Sequence, residues 1–184
     1  MFHGSCRKVS KVLSLAIEPI SKSTVHDLAK KASTIKISSE PKFRRCIAVD
    51  ETKVCVKKAW IYVWSAVDVD SKELLALEAS YGRGCLNASL FLKKAFKLCI
   101  NKPKVVVDKG PWYPWALQRL GLEYEHQTFG IRNRVERLFR YLKERTAVFH
   151  NKLSARNHIQ GKNNLNLLLN LLTPYYQTVR MEGG

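Results

Sequence analysis

The sequence lacks any long hydrophobic run. Among its 184 residues, the richest apolar stretch, residues 165–172, is interrupted by Asn166 and Asn170. A membrane-spanning helix needs ~20 consecutive apolar residues, and residues 1–11 carry no apolar signal region either. The protein is therefore predicted to be cytoplasmic, with no membrane partner.

Cysteine is sparse and scattered. The chain has five cysteines, which is an odd number, and no two of them form a Cys-x-x-Cys pair. Zinc sites and redox motifs commonly begin with such a pair. We therefore expect reduced thiols in the core and no structural zinc.

Acidic residues are scarce as well. The chain has 15 Asp and Glu against 32 Lys and Arg, which gives a formal net charge of +17. Each phosphate contact made by a basic residue releases condensed counterions, so this surplus favours binding to a polyanion. Nucleic acid is the predicted partner, and general solubility is the alternative explanation. With 46% hydrophobic residues the chain is nevertheless expected to form one globular core.

Residues 1–35 have the pattern of two short helices joined by a tight turn. The first helix ends before Pro19, and its apolar stripe consists of Val9, Val12, Leu13 and Ala16. Ser21 or Ser23 caps the second helix. The inward residues of that helix are predicted to be Val25, Leu28, Ala29 and Ala32.

This pair of helices predicts a small helix-turn-helix segment that binds DNA. Short polar and cationic side chains on the outward face of the second helix can reach phosphates and base edges. The candidates are Lys22, Thr24, His26 and Lys30. An ordinary helical hairpin with a solvated lysine face is the alternative.

The remaining chain predicts an α/β domain, a mixed sheet flanked by helices. Residues 36–45 lack periodicity and are predicted to be a linker. Runs at residues 44–50, 60–69 and 74–79 predict strands, which turns at 57–58 and 70–72 make antiparallel. A helix at 87–100 crosses over to a strand at 104–108, parallel to the first. Helices at 112–120, 131–145 and 153–176 and a brief strand at 122–126 complete the pattern.

Two acids, Asp50 and Asp108, end predicted strands of this sheet. Strands linked by a crossover are commonly neighbours, and ligands gather outside the carboxyl ends of parallel strands. Two carboxylates side by side would repel each other, and a divalent metal removes that difficulty because Mg²⁺ prefers carboxylate oxygens and water. The pattern therefore predicts a metal site.

Glu136 supplies a third candidate acid from the helix at 131–145. Arg132, Arg140 and Lys143 lie on the same helical face, at i−4, i+4 and i+7 from it. Beside Asp50 and Asp108, this face would complete a metal site while its cations hold phosphates. The alternative is an exposed ion pair between Glu136 and Arg140, worth only ~0.3–0.5 kcal/mol.

Other polar and aromatic residues have structural interpretations. Asp68 and Asp70 are assigned to a turn, Glu51 is expected on the sheet face opposite Asp50, and His126 is expected to be a surface or structural histidine. Three aromatic residues after Asp108 either stack on a splayed base or pack in the core: Trp112, Tyr113 and Trp115.

Four segments in combination resemble DDE transposases of the insertion-sequence-6 group. They are Ala-Val-Asp-Glu-Thr-Lys at 48–53, the strand at 60–68, Val-Val-Asp-Lys-Gly-Pro-Trp-Tyr-Pro-Trp-Ala-Leu at 106–117, and Arg-Asn-Arg-Val-Glu-Arg-Leu-Phe-Arg-Tyr-Leu-Lys at 132–143. The resemblance covers about residues 5–150. It implies a ribonuclease H-like catalytic domain at 46–150, after the partial helix-turn-helix segment at 1–35 and the linker at 36–45. A C-terminal helix and tail occupy 151–184.

The resemblance also implies a two-metal active site. Asp50, Asp108 and Glu136 would be the metal ligands for two Mg²⁺ or Mn²⁺ ions, one held by Asp50 and Asp108 and the other by Asp50 and Glu136. Lys143 is the basic residue that the family places two helical turns after its glutamate, on transposon-end DNA. The implied partners are double-stranded DNA, at transposon ends and target, and further copies of the chain.

The implied function is metal-dependent DNA strand cleavage and strand transfer at the terminal inverted repeats of an insertion sequence. Two departures from the group are a shorter interval between Asp108 and Glu136 and less sequence before Arg7 than a complete three-helix unit needs. The alternatives are an inactive or truncated derivative that only binds DNA, and a ribonuclease H-like nuclease without strand transfer.

Overall fold

The computed structural model describes residues 6–34, 40–56, 58–127, 133–145, 153 and 155–182. The helices are α1 (Cys6–Ala16), α2 (Lys22–Ser33), α3 (Cys85–Ala95), α4 (Tyr113–Arg119), α5 (Asn133–Arg145) and α6 (His158–Glu182). The strands are β1 (Cys46–Val56), β2 (Ala59–Asp68), β3 (Leu74–Ser80), β4 (Lys104–Val107) and β5 (Tyr124–His126). Among the helices in these ranges, none is long and apolar enough to span a membrane.

The strands form one mixed sheet in the order β3-β2-β1-β4-β5. β1, β2 and β3 are antiparallel neighbours, whereas β1 with β4 and β4 with β5 are parallel pairs. The crossover through α3 brings β4 back beside β1, as the sequence pattern predicts. The predicted α/β architecture, a mixed sheet flanked by helices, is confirmed.

Each face of the sheet carries a buried core, and alternate residues of a strand point to one core or the other. Ile47 and Val49 of β1 belong to a core formed with α3 and α4. Ala48 and Val54 belong to a second core formed with α5 and α6. Every predicted inward residue of α5 that the structure describes is buried: Val135, Leu138, Phe139 and Leu142.

The two hairpin turns form where the sequence predicts them. Lys58, after β1, and Lys72, before β3, adopt left-handed backbone conformations with φ of 66° and 61°. Asp70 lies in the turn, as predicted. Asp68 is instead the last residue of β2, and its Oδ1 accepts hydrogen bonds from the backbone N–H groups of Asp70 and Ser71. β1 continues to Val56, beyond its predicted end at residue 50.

Two predictions about helices are wrong in part. Leu28 was expected to be buried but is 52% exposed. α2 packs mainly against α1 and α6, and these contacts bury only part of its apolar stripe. α3 ends at Ala95 rather than at residue 100. A 3-10 turn at Phe96–Leu98 follows it, and backbone hydrogen bonds then join residues 98 and 100 to Lys42.

The cysteines are predicted to be thiols in the core, but only Cys46 is buried. The others are half-buried near surfaces of the fold: Cys6, Cys55, Cys85 and Cys99.

Arg44 ties the entry of β1 to the β2–β3 turn. Its guanidinium donates to Asp68 Oδ2 at 2.6 Å, to Glu73 Oε2 at 2.9 Å and to the Leu98 carbonyl at 2.9 Å. The Arg44 side chain is only 1% exposed. A buried arginine needs such partners, because its donors have lost water. Arg44 lies in the segment 36–45, which is predicted to be a linker. The boundary between that linker and the domain at 46–150 stays a prediction.

Replacing Arg44 by methionine should destabilise the fold by about 3–5 kcal/mol, because it leaves the buried carboxylate of Asp68 unpaired. Urea unfolding of the two proteins measures the difference. The matched control is Arg45→Met, since Arg45 pairs with Asp70 at the surface, with side chains 65% and 52% exposed. Similar losses in both variants would contradict the structural role given to Arg44.

Candidate metal centre and its cleft

The parallel pairing of β1 with β4 brings Asp50 and Asp108 together. Ile47 pairs with Val105 and Ala48 with Val106, and continuing this register places Asp50 level with Asp108. Asp50 is 5% exposed, and its Oδ1 accepts the backbone N–H of Glu51 at 2.9 Å. The side-by-side arrangement predicted from the strand ends is therefore present.

Glu51 belongs to the same cluster, although the sequence pattern assigned it no role in the site. Single carboxylate oxygens of Asp50, Glu51 and Asp108 all lie within 4.8 Å of one another. Glu51 does occupy the opposite sheet face from Asp50, since it pairs across β2 with the buried Trp64. However, β4 ends at Val107, so both side chains can reach the open edge of the sheet. The signal was the adjacency of two acids at a strand end.

Tyr113 holds Glu51 in place. The Tyr113 hydroxyl donates to Glu51 Oε2 at 2.5 Å, and the Tyr113 side chain is fully buried. Burial raises the pKa of Glu51, and the charges of Asp108 and Asp50 raise it further, whereas the hydrogen bond from Tyr113 lowers it. The Tyr113 hydroxyl has a pKa well above its ordinary value because of burial and the nearby Glu51.

Asp108 is fixed by the loop that follows β4. Its Oδ1 accepts the backbone N–H of Gly110 at 2.8 Å. A Cβ atom at Gly110 would lie 2.6 Å from the Trp112 ring and 2.9 Å from Asp108 Oδ1, so only glycine fits this close approach. The Nδ1 of His126 donates to the Asp108 backbone carbonyl at 2.8 Å. His126 therefore has the structural role that the sequence analysis favoured.

A cleft of about 400 Å³ adjoins the cluster on the α5 side of the sheet. Asp50 and Glu51 line it from β1, and the α5 face that lines it consists of Glu136, Phe139, Arg140, Lys143 and Glu144. Asp50 belongs to both the cluster and the cleft, so the two are continuous. The structure thus brings the predicted Glu136, Arg140 and Lys143 to the same cleft as Asp50.

The cluster has the chemistry of a site for a hard divalent cation. It offers carboxylate oxygens, which Mg²⁺ prefers as ligands. Burial, and after it the like charges of Asp108 and Asp50, raise the pKa of Glu51. A bound cation would reverse that local penalty. The residues present therefore fit Mg²⁺ or Mn²⁺, and the cluster is a candidate metal site consistent with phosphoryl transfer.

The other predicted DNA-contacting residues lie apart from the cluster or outside the described structure. All four candidates on α2 are exposed, namely Lys22, Thr24, His26 and Lys30. The Thr24 hydroxyl lies 2.8 Å from Ser21 Oγ, so it takes part in the helix cap. A carboxylate oxygen of Asp27 lies 3.7 Å from Nδ1 of His26, so an acidic residue also lies at this surface. Arg132 lies outside the described residues.

The aromatic residues after Asp108 divide between the two interpretations. Tyr113 is fully buried and packs edge-on against Trp64, with ring centroids 6.0 Å apart. Trp115 is 45% exposed, and Trp112 is half-buried beneath the guanidinium of Arg83. Core packing therefore explains Tyr113 and part of Trp112, whereas Trp115 lies at the surface with the guanidinium of Arg119 over its ring.

A mixed sheet with carboxylates gathered at the ends of neighbouring strands is consistent with a DDE domain, and comparison with known families shows that class. Residues 45–170 match the family described as a DDE domain, of the IS240 transposase type. That stretch is more than half of the chain, and the chain belongs to this family. The match includes Asp50, Asp108 and Glu136.

Two curated relatives are similar in sequence. An uncharacterized protein of Methanocaldococcus jannaschii is 47% identical over 148 residues, which are 80% of this chain and 69% of that protein. An uncharacterized protein of Aquifex aeolicus is 49% identical over 47 residues, which are 26% of this chain and 39% of that protein.

Two solved structures are similar at low sequence identity. The integrase catalytic core domain of HTLV-2, in complex with magnesium, has a TM-score of 0.49 and 14% identity, covering 73% of this chain and 87% of that one. A chain of the simian T-cell lymphotropic virus intasome, in complex with PP2A regulatory subunit B56 gamma, has a TM-score of 0.47 and 15% identity. The alignment covers 89% of this chain and 63% of that one.

The raised pKa of Glu51 predicts a pH-dependent stability difference for Glu51→Gln. A raised pKa in the folded state contributes stability that is present below the unfolded pKa and lost as pH rises through the folded pKa. Glutamine keeps an oxygen for Tyr113 but carries no charge. In EDTA, the variant should therefore have a higher urea midpoint than wild type at about pH 8 and a similar one at about pH 4.

The control for this comparison is Glu78→Gln. Glu78 pairs with Lys94 at the surface, at 2.6 Å, and lies outside the cluster. It should show no gain at high pH. A Glu51→Gln variant that is less stable than wild type at about pH 8 would contradict the electrostatic account of the cluster.

Proposed function

We propose that this chain is a transposase that cleaves and transfers DNA strands at the terminal inverted repeats of an insertion sequence, in a metal-dependent reaction. The observation that supports it most is the joining of the Asp50, Glu51 and Asp108 cluster to the cleft lined by Glu136. Membership of the DDE family supports the reaction class. The finer assignment to the insertion-sequence-6 group rests on the motifs around Asp50, Asp108 and Glu136.

Asp50, Asp108 and Glu136 are the residues that would hold two metal ions, with Asp50 contributing to both. Mg²⁺ or Mn²⁺ held there would supply Lewis-acid activation of the attacking oxygen and would neutralise charge on the phosphate and leaving oxygen. The buried β1 and β4 strands orient Asp50 and Asp108, and Gly110 fixes the Asp108 carboxylate. The carboxylates act as ligands in this scheme, not as general bases.

Cations on α5 would orient the scissile strand. Arg140 and Lys143 line the same cleft as Asp50 and Glu136, and Arg132 lies on the same helical face in sequence. Arginine and lysine bind phosphate oxygens through charge-assisted hydrogen bonds. A phosphodiester drawn into the cleft by these cations would therefore lie next to the carboxylate cluster.

The exposed residues of α2 would contact the terminal inverted repeats. Lys22 and Lys30 supply positive charge, and Thr24 and His26 supply polar groups for the DNA backbone and base edges. Transposition joins paired DNA ends, so we also propose that the active form is an oligomer of this chain on DNA.

Glu136→Gln should abolish metal-dependent nicking of a labelled duplex that carries the element's end. The amide keeps the shape of the side chain but removes the charge of a metal ligand, so we expect a loss of at least about 100-fold in rate. Gel analysis with Mg²⁺, with Mn²⁺ and with EDTA measures it. The matched control is Glu144→Gln, an exposed acid on the same helix and in the same cleft, which should cleave within about threefold of wild type.

Three results would contradict this proposal. Equal losses of the nicking rate in Glu136→Gln and Glu144→Gln would contradict the assignment of Glu136 as a metal ligand. Salt-sensitive DNA binding by wild type, without any metal-dependent cleavage, would support a DNA-binding derivative instead. Nicking without strand transfer would favour a nuclease with the same acids.

Asp50→Ala should also eliminate cleavage while leaving DNA binding nearly intact. Asp50 is shared by both proposed metal positions, whereas most of the affinity for DNA comes from exposed cations. Anisotropy titrations in EDTA measure binding separately from cleavage. Cleavage by Asp50→Ala near the wild-type rate would refute its assignment as a ligand.

A further inference from the structure

A row of aromatic rings and cations extends from the carboxylate cluster along the outer part of the β1–β2 hairpin. We call it the ring–cation strip, and its members are Trp112, Arg83, Tyr62, Lys53 and Trp60. The guanidinium carbon of Arg83 lies 4.0 Å from the centroid of the Trp112 ring and 5.2 Å from that of Tyr62. The Lys53 ammonium lies 4.5 Å from the centroid of the Trp60 ring.

Strand register places the hairpin members of the strip on one face. Glu51 pairs with Trp64 and Lys53 with Tyr62 across the antiparallel strands, and paired residues share a face. Trp60 lies two residues before Tyr62 and therefore points the same way. From Trp64 to Trp60 the strand rises about 13 Å, so the strip leads outward from the level of the cluster.

Arg83 makes the strip continuous with the cluster. One of its terminal nitrogens, Nη1, lies 3.5 Å from Glu51 Oε1, and the Arg83 side chain is 41% exposed. A phosphate near the cluster therefore has a partly exposed guanidinium within reach. The strip is on the sheet face opposite the α5 cleft, since Glu51 and Asp50 point to opposite sides.

Exposure rises from Trp64, a core residue next to the strip, to the outer end of the strip. Trp64 is 1% exposed and packs against Phe91 and Tyr113. Tyr62 is half-buried, and Trp60 is 43% exposed. Core packing thus accounts for Trp64 but not for Trp60, which keeps a large aromatic surface in water.

We infer that the ring–cation strip binds an unpaired segment of a DNA strand beside the cleavage site. Bases stack on aromatic rings and on guanidinium planes, while cations pair with the phosphates between them. A closed duplex keeps its bases stacked on each other, so exposed rings favour a strand that has separated. The net charge of +17 complements that polyanion. This inference rests on the proposed function, because it assumes a DNA substrate.

Trp60→Ala tests the inference in the complete chain. The probes are a labelled single-stranded oligonucleotide and a blunt duplex of the same sequence, titrated by anisotropy in EDTA so that neither is cleaved. We expect affinity for the single strand to fall about 10-fold and affinity for the duplex to change less than about twofold. Trp60→Phe, which keeps a stacking ring, should recover most of the loss.

The matched control is Trp115→Ala. Trp115 is equally exposed, at 45%, and also carries a cation over its ring, with Arg119 at 5.1 Å, but it lies outside the strip. This variant should bind both probes as wild type does. If Trp60→Ala fails to fold, as judged by its circular dichroism, Lys53→Gln should weaken single-strand binding more than duplex binding.

Unchanged single-strand binding in Trp60→Ala, or equal losses in the two tryptophan variants or on the two probes, would overturn the inference. Its failure is distinguishable from failure of the proposed function. If wild type cleaves DNA but Trp60→Ala binds both probes unchanged, only the inference about the strip is refuted. If Trp60→Ala loses single-strand binding selectively but wild type does not cleave DNA, only the transposase proposal is refuted.

Discussion

The parallel pairing of β1 with β4 is the constraint on which the site depends. It places Ala48 opposite Val106, and therefore Asp50 level with Asp108, at the point where β4 ends. Hydrophobic residues on both faces hold the two strands, so the carboxylates cannot move apart to reduce their repulsion. Packing of the core therefore holds the carboxylates closer together than they would lie in an unfolded chain. A divalent cation bound there would neutralise their charge.

Alternation along β1 then gives the cluster two different surroundings. Asp50 faces the α5 side, where Arg140 and Lys143 line the cleft. Glu51 faces the α4 side, where Tyr113 and Arg83 hold its two oxygens. One pair of adjacent residues therefore connects a cationic helix face on one side of the sheet with the ring–cation strip on the other. A DNA strand at the cluster would be within reach of both.

Much of this arrangement could be predicted from the pattern of the chain. Alternation and turn residues predicted the strands, and the crossover predicted the neighbouring positions of Asp50 and Asp108. Helical spacing predicted that Glu136, Arg140 and Lys143 share a face. The errors fell where distant segments compete for the backbone or the surface. After α3, residues 98 and 100 form backbone hydrogen bonds with Lys42 and not with a further helical turn. Leu28 is exposed because the contacts of α2 with α1 and α6 do not cover its side chain.

By itself, the sequence determined the type and order of the strands, the acids that end them and the positive charge around them, because these follow from periodicity and composition. Only the tertiary structure decided that Glu51 joins the cluster, that Tyr113 donates to it and that Arg83 lies between Tyr62 and Trp112. Those contacts join residues far apart in the chain, and they depend on where β4 stops and how the loop at Gly110 turns. Local sequence patterns do not predict distances between residues that are far apart in the chain.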